Sequence, residues 1–288
     1  MRFGGADLHA HSTWSDGQDT PRELVRKGVA AGLSALALSD HDGTLGLREF
    51  EDGCGESGLT AVPGVELSAQ HRGEDAHLLG LFIDAAEEGL SSSLEVFRRE
   101  RERRGDAMIE RLSDLGFPVD AEAVRNGVAG AFGRPHLARA MVARRYVESE
   151  EEAFDRFLRK GGPAWVPKPK WELTTAISAV HRAGGLAVLA HPVWHADPES
   201  VVREAKGAGL DGLEVWHSDH DRETAEKMAE LAARYGLLRS AGSDCHGDPD
   251  RRPVGWCRLQ EEDWRRLLEA ARETWAASGR TPVGPGGP

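Results

Sequence analysis

The chain has 288 residues, 40% hydrophobic and 29% charged, enough apolar material for one sizeable core with room for an insertion. A net charge of −12 excludes a protein that grips long duplex DNA through its backbone, but not one that takes a short nucleotide through bound cations. No apolar run reaches the roughly 18 residues of a membrane span. No apolar stretch follows Met1 as a leader would, and the three cysteines, Cys54, Cys245 and Cys257, form neither a disulfide framework nor a C-x-x-C zinc spacing, so a cytoplasmic, reducing location is expected.

In chain order, Thr20-Pro21-Arg22-Glu23 predicts a helix start, with Thr as cap, Pro in the first turn and Glu three residues after the cap. That helix is expected to run to about Gly32. Leu33 to Leu38 reads as a buried strand ending in Ser39-Asp40-His41-Asp42. Leu59 to Leu67 reads as another, ending near Gly64-Val65-Glu66, and His77 to Ile83 as a third. From Leu90 to Trp165 the rhythm breaks into helical patterns: Leu94–Leu115, Val119–Val128, Arg134–Tyr146 and Ala153–Leu158. Strand–helix alternation then resumes. Thr174–Ala183 is helical, Leu186–Ala190 a strand ending at His191-Pro192, and Pro198–Lys206 helical. Leu210–Trp216 is a strand ending at His217, Arg222–Tyr235 helical, and Leu237–Ala241 a strand ending at Gly242-Ser243-Asp244-Cys245-His246. Alternation of this kind predicts an α/β body with a mainly parallel sheet, interrupted by a helical insertion over 90–165, with a Gly/Pro-rich, disordered tail over 276–288.

The polar residues gather at strand ends, where α/β sheets build their sites. His9 and His11 stand at i and i+2, one face of an extended segment, and so can grip one ion. Asp16 sits in a Ser-Asp-Gly turn. His41 lies between Asp40 and Asp42, either of which can fix its tautomer or cap the next helix. Glu66 ends its strand, His77 begins one, and His191 is held extended by Pro192. Asp244 and His246 repeat the i, i+2 spacing. Nine donors are too many for one four-coordinate zinc and suit two or three divalent ions (manganese, zinc or iron) sharing carboxylates. Neighbouring ions supply hydroxide at neutral pH and clamp phosphoryl oxygens. No phosphate-binding G-x-x-x-x-G-K-[ST] loop and no G-x-S-x-G elbow competes with that chemistry.

In order along the chain, His9-x-His11, Ser15-Asp16-Gly17, Asp40-His41-Asp42, Gly64-Val65-Glu66, His77, Ala190-His191-Pro192 and Gly242-Ser243-Asp244-x-His246 resemble the polymerase-and-histidinol-phosphatase (PHP) superfamily. The resemblance implies a distorted (β/α)7 barrel, built from 1–89 and 166–275, around a trinuclear site. It implies ligand roles for His9, His11, Asp16, His41, Glu66, His77, His191, Asp244 and His246, with Glu66 and a hydroxide nucleophile bridging metals. Gly133-Arg134-Pro135-His136 further resembles the insert of superfamily members that remove the 3′-phosphate of nucleoside 3′,5′-bisphosphates or trim short RNA from its 5′ end. That makes Arg134 a phosphate contact and His136 a candidate beside it; Pro135 in a first helical turn also reads as a plain helix start. His217 is a candidate phosphate ligand or proton donor. Asp16, His217 and Arg134 are thus the candidate catalytic residues. A phosphomonoesterase of the histidinol-phosphate type and a non-catalytic, metal-stabilised scaffold are the alternatives. The Arg98–Arg104 run, interleaved with Glu100 and Glu102, reads as a solvated helix face, and Trp165 and Trp171 as core packing rather than base stacking.

Overall fold

A computed structural model of the chain describes residues 3–126 and 133–278. Strand β1 (Ala6–Asp7) leads into helix α1 (Pro21–Ala30), which opens with the expected reciprocal cap: Glu23 N donates to Thr20 Oγ1, and Thr20 N donates to Glu23 Oε2 at 2.8 Å. Then come β2 (Ala35–Leu38), α2 (Leu47–Ser57), β3 (Thr60–His71) and β4 (Glu74–Leu81). Helices α3 (Glu88–Asp114), α4 (Ala121–Asn126), α5 (Arg134–Ala143) and α6 (Glu150–Ala153) follow, and α6 runs into a π-helical turn over Phe154–Leu158. The α/β pattern returns with β5 (Trp171–Glu172), α7 (Leu173–Arg182), β6 (Leu186–Leu189), α8 (Pro198–Gly207), β7 (Gly212–His217), α9 (Arg222–Arg234), β8 (Leu238–Gly242) and α10 (Glu261–Ser278).

The strands form one sheet in the order β1-β2-β3-β4-β6-β7-β8, with β5 paired to β3. Its two ends nearly meet. Leu8 N donates to Ala241 O at 2.9 Å, Asp244 N donates to His9 O at 2.9 Å, and Ala10 bridges Cys245, so the sheet curls into an almost closed barrel, as the resemblance implies. Gly242 permits this closure: a Cβ there would lie 2.1 Å from His9 Cβ. The short strands β2 and β6 are buried at every residue, as strands covered on both faces must be. One apolar cluster fills the barrel (Leu8, Val62, Leu79, Val188, Ala241), a second lies under α7–α9, and a third (Met108, Leu112, Leu137, Met141, Leu158) belongs to the helical segment alone.

As expected the sheet is mainly parallel; the exception is β4, antiparallel to both β3 and β6, because the Arg72-Gly73 turn, with both residues at positive φ, folds β3 straight back on itself. Three expectations are corrected. Strand β3 continues past Glu66 to His71, so Glu66 and His77 sit inside a hairpin rather than at strand ends. Residues 276–278 continue α10, whose Leu267, Ala271 and Trp275 pack on the barrel; the rest of the expected tail, and 127–128 of the second expected insertion helix, lie outside the described residues. His191 has φ 27° and ψ 58°, left-handed rather than extended. Among the described residues no helix is long and apolar enough to cross a membrane.

Candidate metal centre

All nine expected donors converge on one end of the barrel. Beyond β1 the chain stays extended, so His9 and His11 project to the same side, with their Nε2 atoms 3.1 Å apart. Around this pair stand Glu66 Oε2, at 3.4 Å from His9 Nε2 and 3.2 Å from His11 Nε2, and Asp244 Oδ1, at 3.3 and 3.1 Å. The β3–β4 hairpin delivers Glu66 and His77, whose Nδ1 is 2.8 Å from Glu66 Oε1. His41 Nδ1 lies 2.9 Å from Glu66 Oε2, and His191 Nε2 lies 3.1 Å from Glu66 Oε1, so one carboxylate faces five imidazoles. Asp16 is 3.3 Å from His246 Nε2 and 3.8 Å from His41 Nε2. A Cβ on the next residue, Gly17, would strike His11 O at 2.4 Å, so the Ser-Asp-Gly turn closes onto the His9–His11 segment only as written.

The acids that are not donors hold this arrangement. Asp7 accepts from Ser243 N, Ser243 Oγ and Gly255 N, tying the β8 end to β1. Asp40 accepts from Ser12 N, Ser12 Oγ and Ser15 Oγ, tying down the loop that carries Asp16. Asp42 accepts from Ser68 N, Ser68 Oγ and Arg101 Nη1. Neither Asp40 nor Asp42 therefore orients the His41 ring or caps the next helix. The orienting carboxylate that sequence reasoning missed is Glu214, fully buried on β7. Its Oε1 lies 3.0 Å from His9 Nδ1, which leaves His9 Nε2 as a lone-pair donor, and its Oε2 accepts from His191 N at 2.7 Å. That second bond helps fix the left-handed backbone that aims His191 at Glu66. The only local signal was its place three residues before His217.

Burial alone would raise the carboxyl groups of Asp16, Glu66 and Asp244, but the imidazoles around them hold all three well below their ordinary values. His9 is the converse: burial disfavours its charge, yet Glu214, Asp244 and Glu66 raise it well above its ordinary value. The donor set fits divalent cations. His11 Nδ1, Asp16 Oδ1, His41 Nδ1, Glu66 Oε2 and His77 Nδ1 are buried with no partner in hydrogen-bonding geometry, which is costly unless positive charge joins them. Three groups have ligand atoms mutually within 4.8 Å and share members: His11-Asp16-His41-His246, His9-His11-Asp244 and His41-Glu66-His77. A fourth, His9-Glu214-His217, already has both Glu214 oxygens engaged.

His217 ends β7 at the edge of this cluster. Its Nδ1 accepts from Asp219 N at 3.1 Å, which places the ring hydrogen on Nε2, 3.3 Å from Asp244 Oδ2. The donors open onto a cavity of about 940 Å³ whose wall includes Asp16, His41, Glu66, His77, Trp194 and Phe154.

On the His41–His77 side the helical segment brings a group of cations. In the arginine run of α3, Arg98, Arg99 and Arg103 pair with Glu95, Glu102 and Glu100 on the exposed face, as a solvated helix would. Arg101 and Arg104 do not follow that reading: they point inward and are 5% and 7% exposed. Arg101 Nη1 donates to Asp42 Oδ2 at 2.9 Å and to His41 O at 3.1 Å, while its Nε has no partner in hydrogen-bonding geometry. Lys168, on the return to the barrel, donates to Ser68 Oγ at 2.6 Å. Lost hydration lowers its ammonium to about 8, with Asp42 opposing and Arg101 reinforcing the shift. Burial also lowers Arg104, to about 10, with Arg134 and Arg101 adding to it. Arg134 lies 5.5 Å over the Phe154 ring and donates to Leu158 O at 3.4 Å. His136 is placed differently from its expectation. Its Nδ1 accepts from Gly133 N at 3.0 Å, closing the start of α5, and its ring lines a separate groove with Val124 and Ala140. Trp171 is buried and stacks on Phe97, as core packing predicts.

A family model described as the PHP domain matches residues 7–149. The chain is 34% identical to the 5′-3′ exoribonuclease of Haemophilus influenzae over 88% of its own length and 92% of the relative's. It is 33% identical to the 3′,5′-nucleoside bisphosphate phosphatase of Chromobacterium violaceum, over 83% and 86%. Among solved structures, a protein of Bifidobacterium adolescentis described as a metal-dependent phosphoesterase superposes with a TM-score of 0.85 at 34% identity, covering 92% of this chain and 96% of that one.

Proposed function

The chain belongs to the PHP family of metal-dependent phosphoesterases, and from that premise we propose that it hydrolyses esters carrying a second phosphate: nucleoside 3′,5′-bisphosphates or the 5′-phosphorylated ends of short RNA. The observation behind this substrate class is the cation group beside the metal cavity. Arg101, Arg104, Arg134 and Lys168 gather there: burial lowers Arg104, Arg134 and Lys168, neighbouring cations of the group add to each shift, and Asp42, bonded to Arg101, is the carboxylate held directly within it. Cations so under-balanced fit a second phosphate, and the planar fork of Arg101 suits two of its oxygens.

We read His9, His11, Asp16, His41, Glu66, His77, His191, Asp244 and His246 as the holders of two or three divalent ions. Their mixture of imidazole and carboxylate accords with manganese, zinc or iron. When bound, such ions make water nucleophilic at neutral pH and neutralise charge on the phosphoryl oxygens. The remaining work belongs to the chain. Glu214 keeps His9 in the tautomer that offers Nε2, and Asp42 holds Arg101 and, through Ser68, Lys168 against the rim. The Nε2 hydrogen of His217 is available to the leaving ester oxygen. Residues 90–165 act as an insertion that selects substrate, and a cytoplasmic location accords with the free thiols of Cys54, Cys245 and Cys257.

The test is kcat/KM of metal-loaded enzyme on adenosine 3′,5′-bisphosphate, on a short 5′-phosphorylated RNA and on a monoester with no second phosphate. Preference for the first two by about 10²-fold or more supports the reading. Equal turnover of the simple monoester would replace it with a phosphomonoesterase of the histidinol-phosphate type.

A further inference from the structure

Trp194 closes the single 3₁₀ turn Pro192–Trp194 that follows β6, directly after His191. It lines the same cavity as the metal donors, yet 56% of its surface is exposed, the most of any tryptophan among the described residues. It is not loose. One ring face lies on His191, with centroids 3.7 Å apart and planes at 30°. The rings of His77 and His217 stand edge-on to it at 6.4 and 6.0 Å, and its Nε1 donates to Asp219 Oδ2 at 3.1 Å. An indole fixed at its back and edge, whose remaining surface faces a polar cavity, has the form of a stacking platform.

We propose that the open face of Trp194 receives the base of the nucleotide whose phosphate is hydrolysed, making Trp194 a specificity-determining residue; this rests on the substrate class argued above. Trp194 adjoins the His191–His217 side of the donor cluster, while Arg101 and Lys168 adjoin the His41–Ser68 side. A ribose with one ester at the metals can therefore direct its other phosphate to the cations and its base to the indole. The same arrangement serves a free nucleotide and the first residue of a short RNA. Stacking is indifferent to which base is present because every base offers a π face, so the platform distinguishes nucleotides from base-free phosphate esters rather than one base from another.

The test compares wild type, Trp194→Ala and Trp194→Phe on adenosine 3′,5′-bisphosphate and on its base-free counterpart, 1,4-anhydroribitol 3,5-bisphosphate. Metal content and adenosine 5′-monophosphate binding are measured alongside. In wild type the nucleotide is favoured. Trp194→Ala lowers the ratio of the two kcat/KM values by about tenfold, chiefly through KM, and weakens nucleotide binding to match, while Trp194→Phe recovers most of the ratio. If Trp194→Ala lowers both substrates in proportion, the indole merely props His191 and the proposal fails. An unchanged ratio with good turnover overturns the platform and leaves the phosphoesterase reading standing. Wild-type, metal-loaded enzyme that hydrolyses neither substrate overturns both.

Discussion

The barrel mouth and the helical segment from Glu88 to Leu158 contribute to the same cavity by different physical means. At the barrel mouth, donors and the segments that carry them are held by buried partners far away in sequence: Glu214 on His9, Asp7 on Ser243, Asp40 on the loop bearing Asp16. These charges are out of water, so they are strong and costly to disturb. The helical segment satisfies most of its charge locally, through three- and four-residue pairs on an exposed face, and has its own small core. It sends inward only a few side chains, Arg101, Arg104 and Arg134 among them. On the function proposed above this is a division of labour: hydrolysis would fall to the part whose geometry is over-determined, and choice of substrate to the part attached beside it.

The comparison is most exposed at Glu66. Glu66→Ala, or Asp16→Ala, is expected to lower turnover on every phosphate ester by on the order of 10³-fold or more, with metal lost by elemental analysis. Full metal content with surviving turnover would place the chemistry elsewhere. Next is Arg101→Ala. Its kcat/KM on the bisphosphate should fall about 10²-fold with little change on a single-phosphate ester. Asp42, left buried without its partner, should destabilise the fold by about 3 kcal/mol, read as a lower Tm. Equal losses on both substrates would erase the distinction between the two regions.

A pH profile sharpens it further. Lys168 serves as a cation, and its value is lowered from 10.5 to about 8, so its charge disappears as pH rises through 8, well before that of an exposed lysine. KM for the bisphosphate should therefore rise by about tenfold between pH 7 and 9, and Lys168→Met should start with the higher KM and lose that dependence. A profile identical in both proteins would remove Lys168 from the phosphate site. The smallest effect is expected on the outer face of α3, where Arg98→Ala or Arg103→Ala should leave KM unchanged and shift Tm by no more than about 1 °C.

Much of the site was legible because its signals are local. The His9–His11 and Asp244–His246 spacings, the Thr20 cap and the alternation of strand and helix all act within a few residues. Glu214 was not legible, because its two partners lie 205 and 23 residues away and nothing about a glutamate in a strand announces them. The arginine run was half legible. Interleaved Glu100 and Glu102 account for Arg103 and Arg98, and Glu95 ahead of the run for Arg99, whereas the inward turn of Arg101 and Arg104 depends on which face of α3 the barrel covers.

By itself, then, the sequence determined the donor types, their order along the chain and the periodicities that make strands and helices, since these follow from side-chain chemistry and local backbone preference. Tertiary structure alone decided that β4 also pairs antiparallel with β6, that His191 turns left-handed to reach Glu66, and that Arg101 and Lys168 stand on the His41–Ser68 side of the donors while Trp194 stands on the His191–His217 side. Each of those depends on closing a barrel between residues dozens to hundreds of positions apart, and the free energy that selects such contacts comes from burial and charge pairing that exist only once the chain has folded.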